Sequence, residues 1–166
     1  GQSRRRKASD YALALAEKQK MRFYYGLMEK QFKGIYEKAI RRRGVTGEIM
    51  LQILETRLDS VAFNIGFGYT RSQARQMVTH GHILVNGKRA RTPSIALSEG
   101  DVVQIKSVEK SRHLADKNLE YSTSRIVPEW LTLDKAAYSG TVNRIPTRED
   151  IEPIANEQTI VEFYSR

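Results

Sequence analysis

The chain has 166 residues, enough for one large or two small domains, and 40% of them are hydrophobic, which excludes global disorder. Lysine and arginine number 28 against 19 aspartate and glutamate, so the net charge of +9 favours a polyanionic partner: nucleic acid first, an anionic membrane second. Cysteine is absent and no apolar run is long enough to span a bilayer, which excludes disulfides, cysteine-ligated zinc and a transmembrane helix in this sequence.

The positive charge is concentrated in the first two thirds of the chain. Residues 1–56 hold 13 basic and 6 acidic side chains, and residues 57–115 hold 9 and 4. Residues 116–166 hold 6 and 9. We therefore expect the nucleic-acid-facing surface to come from the first two thirds, and the acidic last third to support the fold or to meet a basic protein neighbour.

The N-terminal third is predicted to be helical. Ser9 or Asp10 is suited to begin a helix that reaches about residue 20, because both side chains accept hydrogen bonds from the first turn. A second helix is predicted over about residues 21–42, where apolar side chains recur every three and four positions. Two internal glycines weaken this stretch.

A third helical pattern covers residues 46–65, whose apolar residues continue at helical spacing to a stop at Gly66 and Gly68. Thr70 is then expected to cap a short helix over residues 71–79. This helix has Arg71 and Arg75 one turn apart, beside a strip of apolar residues.

The pattern next changes from helical to extended. Residues 83–85 followed by Asn86-Gly87 predict a β-hairpin, because Asn-Gly is the dipeptide most typical of its tight turn. Residues 156–164 suit either a helix capped by Asn156 or a strand. Further elements are predicted as strands at residues 102–106, 130–133 and 140–145, and as a helix at residues 109–121.

Several motifs in a fixed order resemble a known RNA-binding module. The motifs similar to the S4-type RNA-binding module lie at residues 54–59, 70–78, 81–87, 93–94 and 100–101. The motifs that resemble the bacterial-type small-subunit ribosomal protein S4 family (uS4) lie at residues 17–20, 25–26, 29–32 and 160–166. Members of this family usually begin with a further basic segment, which we expect to precede the first residue of this sequence.

The resemblance implies an α+β fold. A helical domain would carry an inserted S4-type RNA-binding α/β domain with a mostly antiparallel sheet. The expected divisions are residues 1–55 for the first helical part, 56–138 for the RNA-binding domain, and 139–166 for a C-terminal return that packs with the helical domain.

The resemblance also implies a function. Family members are structural constituents of the small ribosomal subunit and primary binders of its RNA at a multi-helix junction, where they nucleate assembly and contribute to translational accuracy. The implied partners are small-subunit ribosomal RNA, neighbouring small-subunit proteins, notably the fifth, and in some members their own messenger RNA. The implied location is the cytoplasmic ribosome, and the sequence does not exclude an organellar ribosome.

The candidate RNA-binding residues are cations, because a planar guanidinium can donate two parallel hydrogen bonds to a phosphate, together with the two histidines that flank Gly81. The centre of the surface is expected at Arg71, Arg75 and the hairpin. The complete set is Arg4, Arg5, Arg6, Lys7, Lys18, Lys20, Arg22, Lys33, Arg41, Arg42, Arg43, Arg71, Arg75, His80, His82, Lys88, Arg89 and Arg91.

Catalysis, metals and cofactors are not expected. No motif places a nucleophile beside an activating base, and no glycine-rich loop carries the lysine of a phosphate-binding loop. Three histidines without cysteine make a poor ligand set for a metal. Two alternatives are less favoured. An RNA-modifying enzyme that borrows the module, such as a pseudouridine synthase, would carry a full catalytic domain beside it, and only about 50 residues remain on each side here. An RNA-binding stress protein that acts on stalled ribosomes would not be expected to end in the motif at residues 160–166.

Overall fold

The computed structural model describes residues 9–166, which divide into two compact units. The first unit ends at Leu51 and resumes with residues 152–166, and the second unit comprises residues 52–151. The predicted arm residues Arg4, Arg5, Arg6 and Lys7 lie outside the described residues.

The fold is α+β, as predicted. In the described part of the chain the helices are α1 (Asp10–Tyr25), α2 (Glu29–Ile40), α3 (Thr46–Glu55), α4 (Leu58–Ile65), α5 (Arg71–Thr79), α6 (Glu109–Tyr121) and α7 (Glu157–Tyr164). The strands are β1 (Ile83–Val85), β2 (Lys88–Arg89), β3 (Val102–Ile105), β4 (Leu131–Asp134) and β5 (Ser139–Val142). A short 3₁₀ turn covers Arg148–Asp150. Within residues 9–166, no helix combines the length and the apolar character needed to cross a bilayer.

The first unit is built on α1. The Ser9 side chain accepts a hydrogen bond from the Ala12 backbone N–H at 3.1 Å, which caps this helix as predicted. The predicted boundary near residue 20 is wrong, because α1 continues to Tyr25. It ends at Gly26, whose φ of 68° is left-handed and open to glycine without steric cost.

The C-terminal segment is helical rather than extended. Asn156 caps α7 by accepting from the Thr159 backbone N–H at 3.0 Å. Ile160 is fully buried, and the Tyr164 ring stacks on Tyr36 with 4.9 Å between centroids. Side-chain packing on the first unit therefore decides between the two conformations that the sequence allowed.

The predicted helix over residues 46–65 is broken at Arg57, where ψ is 146°. The backbone N–H groups of Leu58 and Asp59 donate instead to the carbonyls of Ile95 and Pro93, at 2.9 and 3.1 Å. A distant loop thus supplies the acceptors that a continuous helix would have provided, and periodicity alone cannot reveal such a substitution.

The second unit contains an antiparallel sheet in the order β2-β1-β3-β5-β4. Strand β5 lies between β3 and β4 in this sheet and belongs to the second unit, so a division at residue 138 would separate it from these two strands. Glycine at position 140 allows β5 to pack closely at this position in the sheet, because a Cβ on this residue would lie 2.5 Å from Ile65 Cδ1.

The core of the second unit joins one face of the sheet to α4, α5 and α6. Trp130, the single tryptophan of the chain, is fully buried in this core. Other fully buried members are Leu58, Val61, Phe67, Val78, Ile83 and Val103. This core gives α5 and the β1–β2 hairpin a rigid base.

Candidate nucleic-acid interface

Helix α5 is held tightly against the turn that precedes it. Thr70 Oγ1 accepts from the Gln73 backbone N–H at 3.0 Å and so caps the helix as predicted. A Cβ added at Gly68 would lie 2.3 Å from the Ala74 backbone nitrogen, so only glycine permits this approach. The orientation of α5 is therefore fixed by backbone contact as well as by the buried side chains Met77 and Val78.

The two arginines of α5 differ in their surroundings. The Arg71 guanidinium donates to Ser60 Oγ at 2.9 Å, lies 3.8 Å from Glu55 Oε1 and sits 4.6 Å from the Phe63 ring centroid. Its side chain is only 14% exposed. Arg75 is half-buried and forms no ion pair within the described residues. Arg71 therefore belongs to the packing of α4 against α5, and its place at the centre of an RNA-binding surface stays a prediction.

The hairpin after α5 presents two exposed cations. Asn86 and Gly87 have φ values of 51° and 80°, as the predicted two-residue turn requires. Lys88 and Arg89 follow in β2, the edge strand of the sheet, and both side chains are exposed. Within residues 9–166 neither forms an ion pair, so both charges are available to an anionic ligand.

The hairpin tip is fastened to a second turn. Asn86 Nδ2 donates to Asp101 Oδ1 at 2.9 Å, and Asn86 Oδ1 accepts from the Val102 backbone N–H at 2.8 Å. Asp101 Oδ2 accepts from the Ser98 backbone N–H at 2.7 Å. These bonds join residues 86–87 to residues 100–101, two of the motifs that carry the resemblance. They limit the movement of the backbone that carries Lys88 and Arg89.

Arg91 and the two histidines lie near the end of α5. A Cβ built on Gly81 would be 3.1 Å from Arg91 Nε, so the guanidinium packs over this glycine. A cation there also interacts favourably with the C-terminal end of a helix dipole. His80 is exposed and lies 6.5 Å from His82, measured between ring centroids. Arg91 thus extends the cationic edge that begins in β2, and His80 is exposed beside Gly81.

His82 points toward α6 rather than forming part of that edge. Its Nδ1 atom lies 2.7 Å from the hydroxyl of buried Ser111. Burial lowers the pKa of His82, and the positive charges of His80, Lys110 and Lys106 lower it further. The neutral ring is therefore favoured, and its main role is to fix the start of α6.

Lys18 in the first unit is engaged within the fold. It is 5% exposed, and its Nζ donates to Glu29 Oε2 at 2.5 Å. The same ammonium lies 5.2 and 6.0 Å from the ring centroids of Phe163 and Tyr164. A buried ammonium with these partners stabilises the docking of α7, and the role of Lys18 as a phosphate ligand stays a prediction.

Arg22 is also occupied within the fold. Its guanidinium donates to the Leu27 carbonyl at 3.0 Å and to Gln19 Oε1 at 2.8 Å, and its side chain is 18% exposed. Lys20 is exposed and paired with Glu17 at 2.7 Å, an arrangement that water screens easily. The remaining predicted cations of this unit are exposed: Lys33, Arg41, Arg42 and Arg43.

Three cations near α6 were missing from the predicted set. Lys106 follows β3 and donates its backbone N–H to the His82 carbonyl at 2.8 Å, while Lys110 and Lys117 are exposed on α6. Because these lysines are distant from α5 in the sequence, their closeness to the end of α5 in the fold is not apparent from the sequence. The three lysines among residues 106–117 were the signal available in the sequence. Among residues 9–166, no group of three or more histidine, cysteine or acidic side chains is arranged to hold a metal.

A capped helix, a fastened hairpin and exposed cations on a shared core define an RNA-binding module, since structured RNA is recognised largely through its shape and phosphates. The sequence matches the Ribosomal protein S4/S9 N-terminal domain over residues 1–55 and the S4 domain over residues 56–103.

Curated relatives match nearly the whole chain. The small ribosomal subunit protein uS4 of Akkermansia muciniphila is 49% identical over 98% of this chain and 80% of the relative. The uS4 protein of Opitutus terrae is 50% identical over 100% of this chain and 82% of the relative. The uS4A protein of Symbiobacterium thermophilum is 50% identical over 98% of this chain and 78% of the relative. The chain belongs to the uS4 family of ribosomal proteins, a structural and non-enzymatic family, which decides against the modifying-enzyme alternative.

Proposed function

We propose that this chain is a structural constituent of the small ribosomal subunit that binds folded small-subunit ribosomal RNA. The observation that carries the proposal is the rigid edge formed by Lys88, Arg89, Arg91 and the end of α5. Its cations are exposed, and the Asn86–Asp101 hydrogen bond fixes the hairpin backbone that carries Lys88 and Arg89 before any RNA arrives. Such preorganisation lowers the entropy lost on binding.

Arg75 extends this edge along α5. Lys33 and residues 41–43 offer a further set of exposed cations in the first unit, and the arm residues 4–7 add basic charge to the chain. Lys18, Arg22 and Arg71 are left out, because their charged groups are already engaged inside the fold.

The finer parts of the proposal follow the family. The chain would bind a multi-helix junction, nucleate assembly of the subunit in the cytoplasmic ribosome and contribute to translational accuracy. Its protein partner would be the fifth small-subunit protein, and the acidic residues after position 115 would suit a basic surface on a protein neighbour. The chain would also regulate the translation of its own messenger RNA.

The test is a binding assay with fragments of small-subunit ribosomal RNA, with duplex DNA as competitor. We expect one junction fragment to be preferred over other RNA fragments and over DNA. Arg75→Ala should weaken this binding at unchanged stability, whereas Arg71→Ala should lower the unfolding free energy by about 1–3 kcal/mol because Glu55 and Ser60 lose a buried partner. Equal affinity for all RNAs and for DNA would contradict the proposal.

A further inference from the structure

A cleft of about 330 Å³ lies between α5 and α6, inside the second unit. Lys88, Arg89 and Arg91 do not line it, whereas the end of α5 borders both the groove and the cationic edge. We call it the α5–α6 groove, and the side chains relevant here are Tyr69, Gln73, Gln76, His80, Lys117 and Tyr121. The phosphate contacts proposed for Lys88, Arg89 and Arg91 do not use the groove.

One end of the groove is an aromatic platform. The rings of Tyr69 and Tyr121 lie 5.4 Å apart at an interplanar angle of 50°. The two residues are 49% and 58% exposed, although aromatic rings of this size contribute more to stability when buried. Two neighbouring tyrosines left half-covered beside a cleft are an arrangement that a planar ligand would complete.

The platform is held in place by the cap of α5. The Tyr69 backbone N–H donates to Gln73 Oε1 at 2.9 Å, and the Gln73 backbone N–H donates to Thr70 Oγ1 at 3.0 Å. On the opposite wall, Asn118 Nδ2 donates to the Phe67 carbonyl at 3.0 Å, which ties α6 to the segment before Tyr69. The spacing of the walls is therefore set by the fold and not by the ligand.

The rest of the lining is polar and cationic. Gln73 and Gln76 bring carboxamides, which both donate and accept hydrogen bonds as the edge of a nucleobase does. In the described part of the chain, the Gln76 side chain and the Gln73 Nε2 group make no hydrogen bond. Lys117 stands at the wall without an ion pair in that same part, and Lys106 and Lys110 place positive charge near His82. An aromatic face, amide groups and surrounding cations match a base attached to a phosphate chain.

We propose that the α5–α6 groove binds one unpaired nucleobase of the bound RNA, stacked on the Tyr69–Tyr121 platform with its edge toward Gln73 and Gln76. This inference rests on the proposed function and adds a second mode of contact to it. The edge of Lys88 and Arg89 contacts phosphates of folded RNA, while the groove takes a base that is not paired.

The direct test uses the full chain and a short uridine-rich single-stranded RNA with one 2-aminopurine at its centre. Stacking on tyrosine is expected to quench the 2-aminopurine emission. Tyr121→Ala should remove the quenching and weaken binding roughly tenfold, because a base stacked on an aromatic side chain contributes about that much. Tyr121→Phe keeps the ring and should keep the quenching.

Tyr11→Ala is the matched control, because Tyr11 is 55% exposed and belongs to the first unit. It should leave both emission and affinity unchanged. In the unmodified chain, NMR should show shifts of the Tyr69 and Tyr121 ring protons on RNA addition and none for Tyr11. That measurement needs no variant, so it decides the question even if Tyr121→Ala misfolds.

The outcomes separate the two proposals. Binding of the ribosomal RNA fragment without any shift of the two tyrosine rings would overturn the groove assignment and leave the proposed function standing. Failure of the chain to bind that fragment at all would overturn the proposed function. Adenosine monophosphate bound as tightly as the single-stranded RNA would also overturn the inference, since the groove would then be a site for free nucleotides.

Discussion

The carboxylate of Glu29 is the meeting point of three side chains. Lys18 Nζ lies 2.5 Å away, the Tyr164 hydroxyl donates at 3.0 Å, and Arg22 Nε lies at 3.7 Å. Burial raises the pKa of Glu29, but the hydrogen bonds from Lys18 and Tyr164, together with the positive charges of Lys18 and Arg22, lower it by more. The ionised carboxylate therefore ties α1 and α2 to the last helical turn of α7.

Lys18→Ala should destabilise the first unit. The substitution removes both the ion pair and the contact of the lysine with the rings of α7, at a cost of about 1–3 kcal/mol in unfolding free energy. Lys20→Ala is the matched control, because its pair with Glu17 is exposed, and should change stability by less than about 0.5 kcal/mol. Urea denaturation followed by far-ultraviolet circular dichroism measures both, and equal effects would contradict a structural role for Lys18.

Asp150 makes stability depend on pH. Its carboxylate accepts from the Arg144 guanidinium and from the backbone N–H and hydroxyl of Thr147, the last two at 2.7 and 3.0 Å. The hydrogen bond from Arg144 holds the pKa of Asp150 well below its ordinary value, and those from Thr147 add to the effect although burial opposes it. A depressed pKa in the folded state stabilises the protein above the ordinary pKa, and this contribution disappears as the pH falls below that value.

Asp150→Asn should therefore lower the urea midpoint near neutral pH and make its decline toward pH 3 shallower than in the unmodified chain. Glu149→Gln, at the exposed neighbouring position, should reproduce neither change. A pH profile of Asp150→Asn parallel to that of the unmodified chain would show that the Arg144–Asp150 pair adds no pH-dependent stability.

At the scale of elements, the α4–α5 connection depends on the size of one residue. At Gly68 a methyl group would overlap the backbone nitrogen of Ala74, which cannot move without displacing α5. The contrast is Gly34 in α2, where an added methyl group would meet nothing within 4 Å.

Gly68→Ala should lower the unfolding free energy by about 2 kcal/mol or more, because the clash involves backbone atoms. It should also weaken RNA binding, since α5 carries Arg75 and leads into the hairpin. Gly34→Ala should instead stabilise the chain by about 0.5–1 kcal/mol, as expected for a helix interior with space for the methyl group. Thermal unfolding of the two variants tests this opposition in sign.

Local signals in the sequence predict several features of the helices and turns. Caps at Ser9 and Thr70 and the Asn86-Gly87 turn follow from the chemistry of one to four neighbouring residues, and the structure has all three. The break at Arg57 does not follow, because its replacement acceptors lie at Pro93 and Ile95. Local patterns cannot report a partner nearly forty positions away.

The candidate site was only partly predictable for the same reason. Composition identifies cations but not their burial, so Lys18 and Arg71 had the same sequence signature as Lys88 and Arg89. The α5–α6 groove was beyond prediction, because the fold alone brings Tyr69 next to Tyr121. The function follows from the resemblance to a family, whereas the burial of each cation follows only from the three-dimensional packing.

At the scale of the whole molecule, the net charge of +9 is a sum over surfaces with different tasks. The second unit has 14 basic and 11 acidic side chains, so it is nearly balanced. RNA binding by this unit must then depend on where its cations lie rather than on their number. Strands β2 and β4 are the opposite edges of the sheet, so cations near one edge are separated from cations near the other.

Lys88→Ala combined with Arg89→Ala should reduce the slope of log affinity against log salt concentration by about 1.4–1.8, if each side chain neutralises one phosphate. Lys135→Ala, just beyond β4 on the opposite edge, should leave the slope unchanged although it removes the same kind of charge. Filter-binding titrations of the ribosomal RNA fragment over a range of salt concentrations measure this. A similar loss per charge in both variants would indicate attraction by net charge alone.

The burial of Trp130 makes the protein its own optical reporter. Light absorbed at the red edge excites this residue alone, so the emission reads out the second unit, and its wavelength will shift when water reaches the indole. Five of the eight tyrosines belong to the first unit, so tyrosine emission is weighted toward the other half of the chain. Recorded together during one denaturation, the two signals show whether the units melt in a single transition or one before the other, without any attached dye.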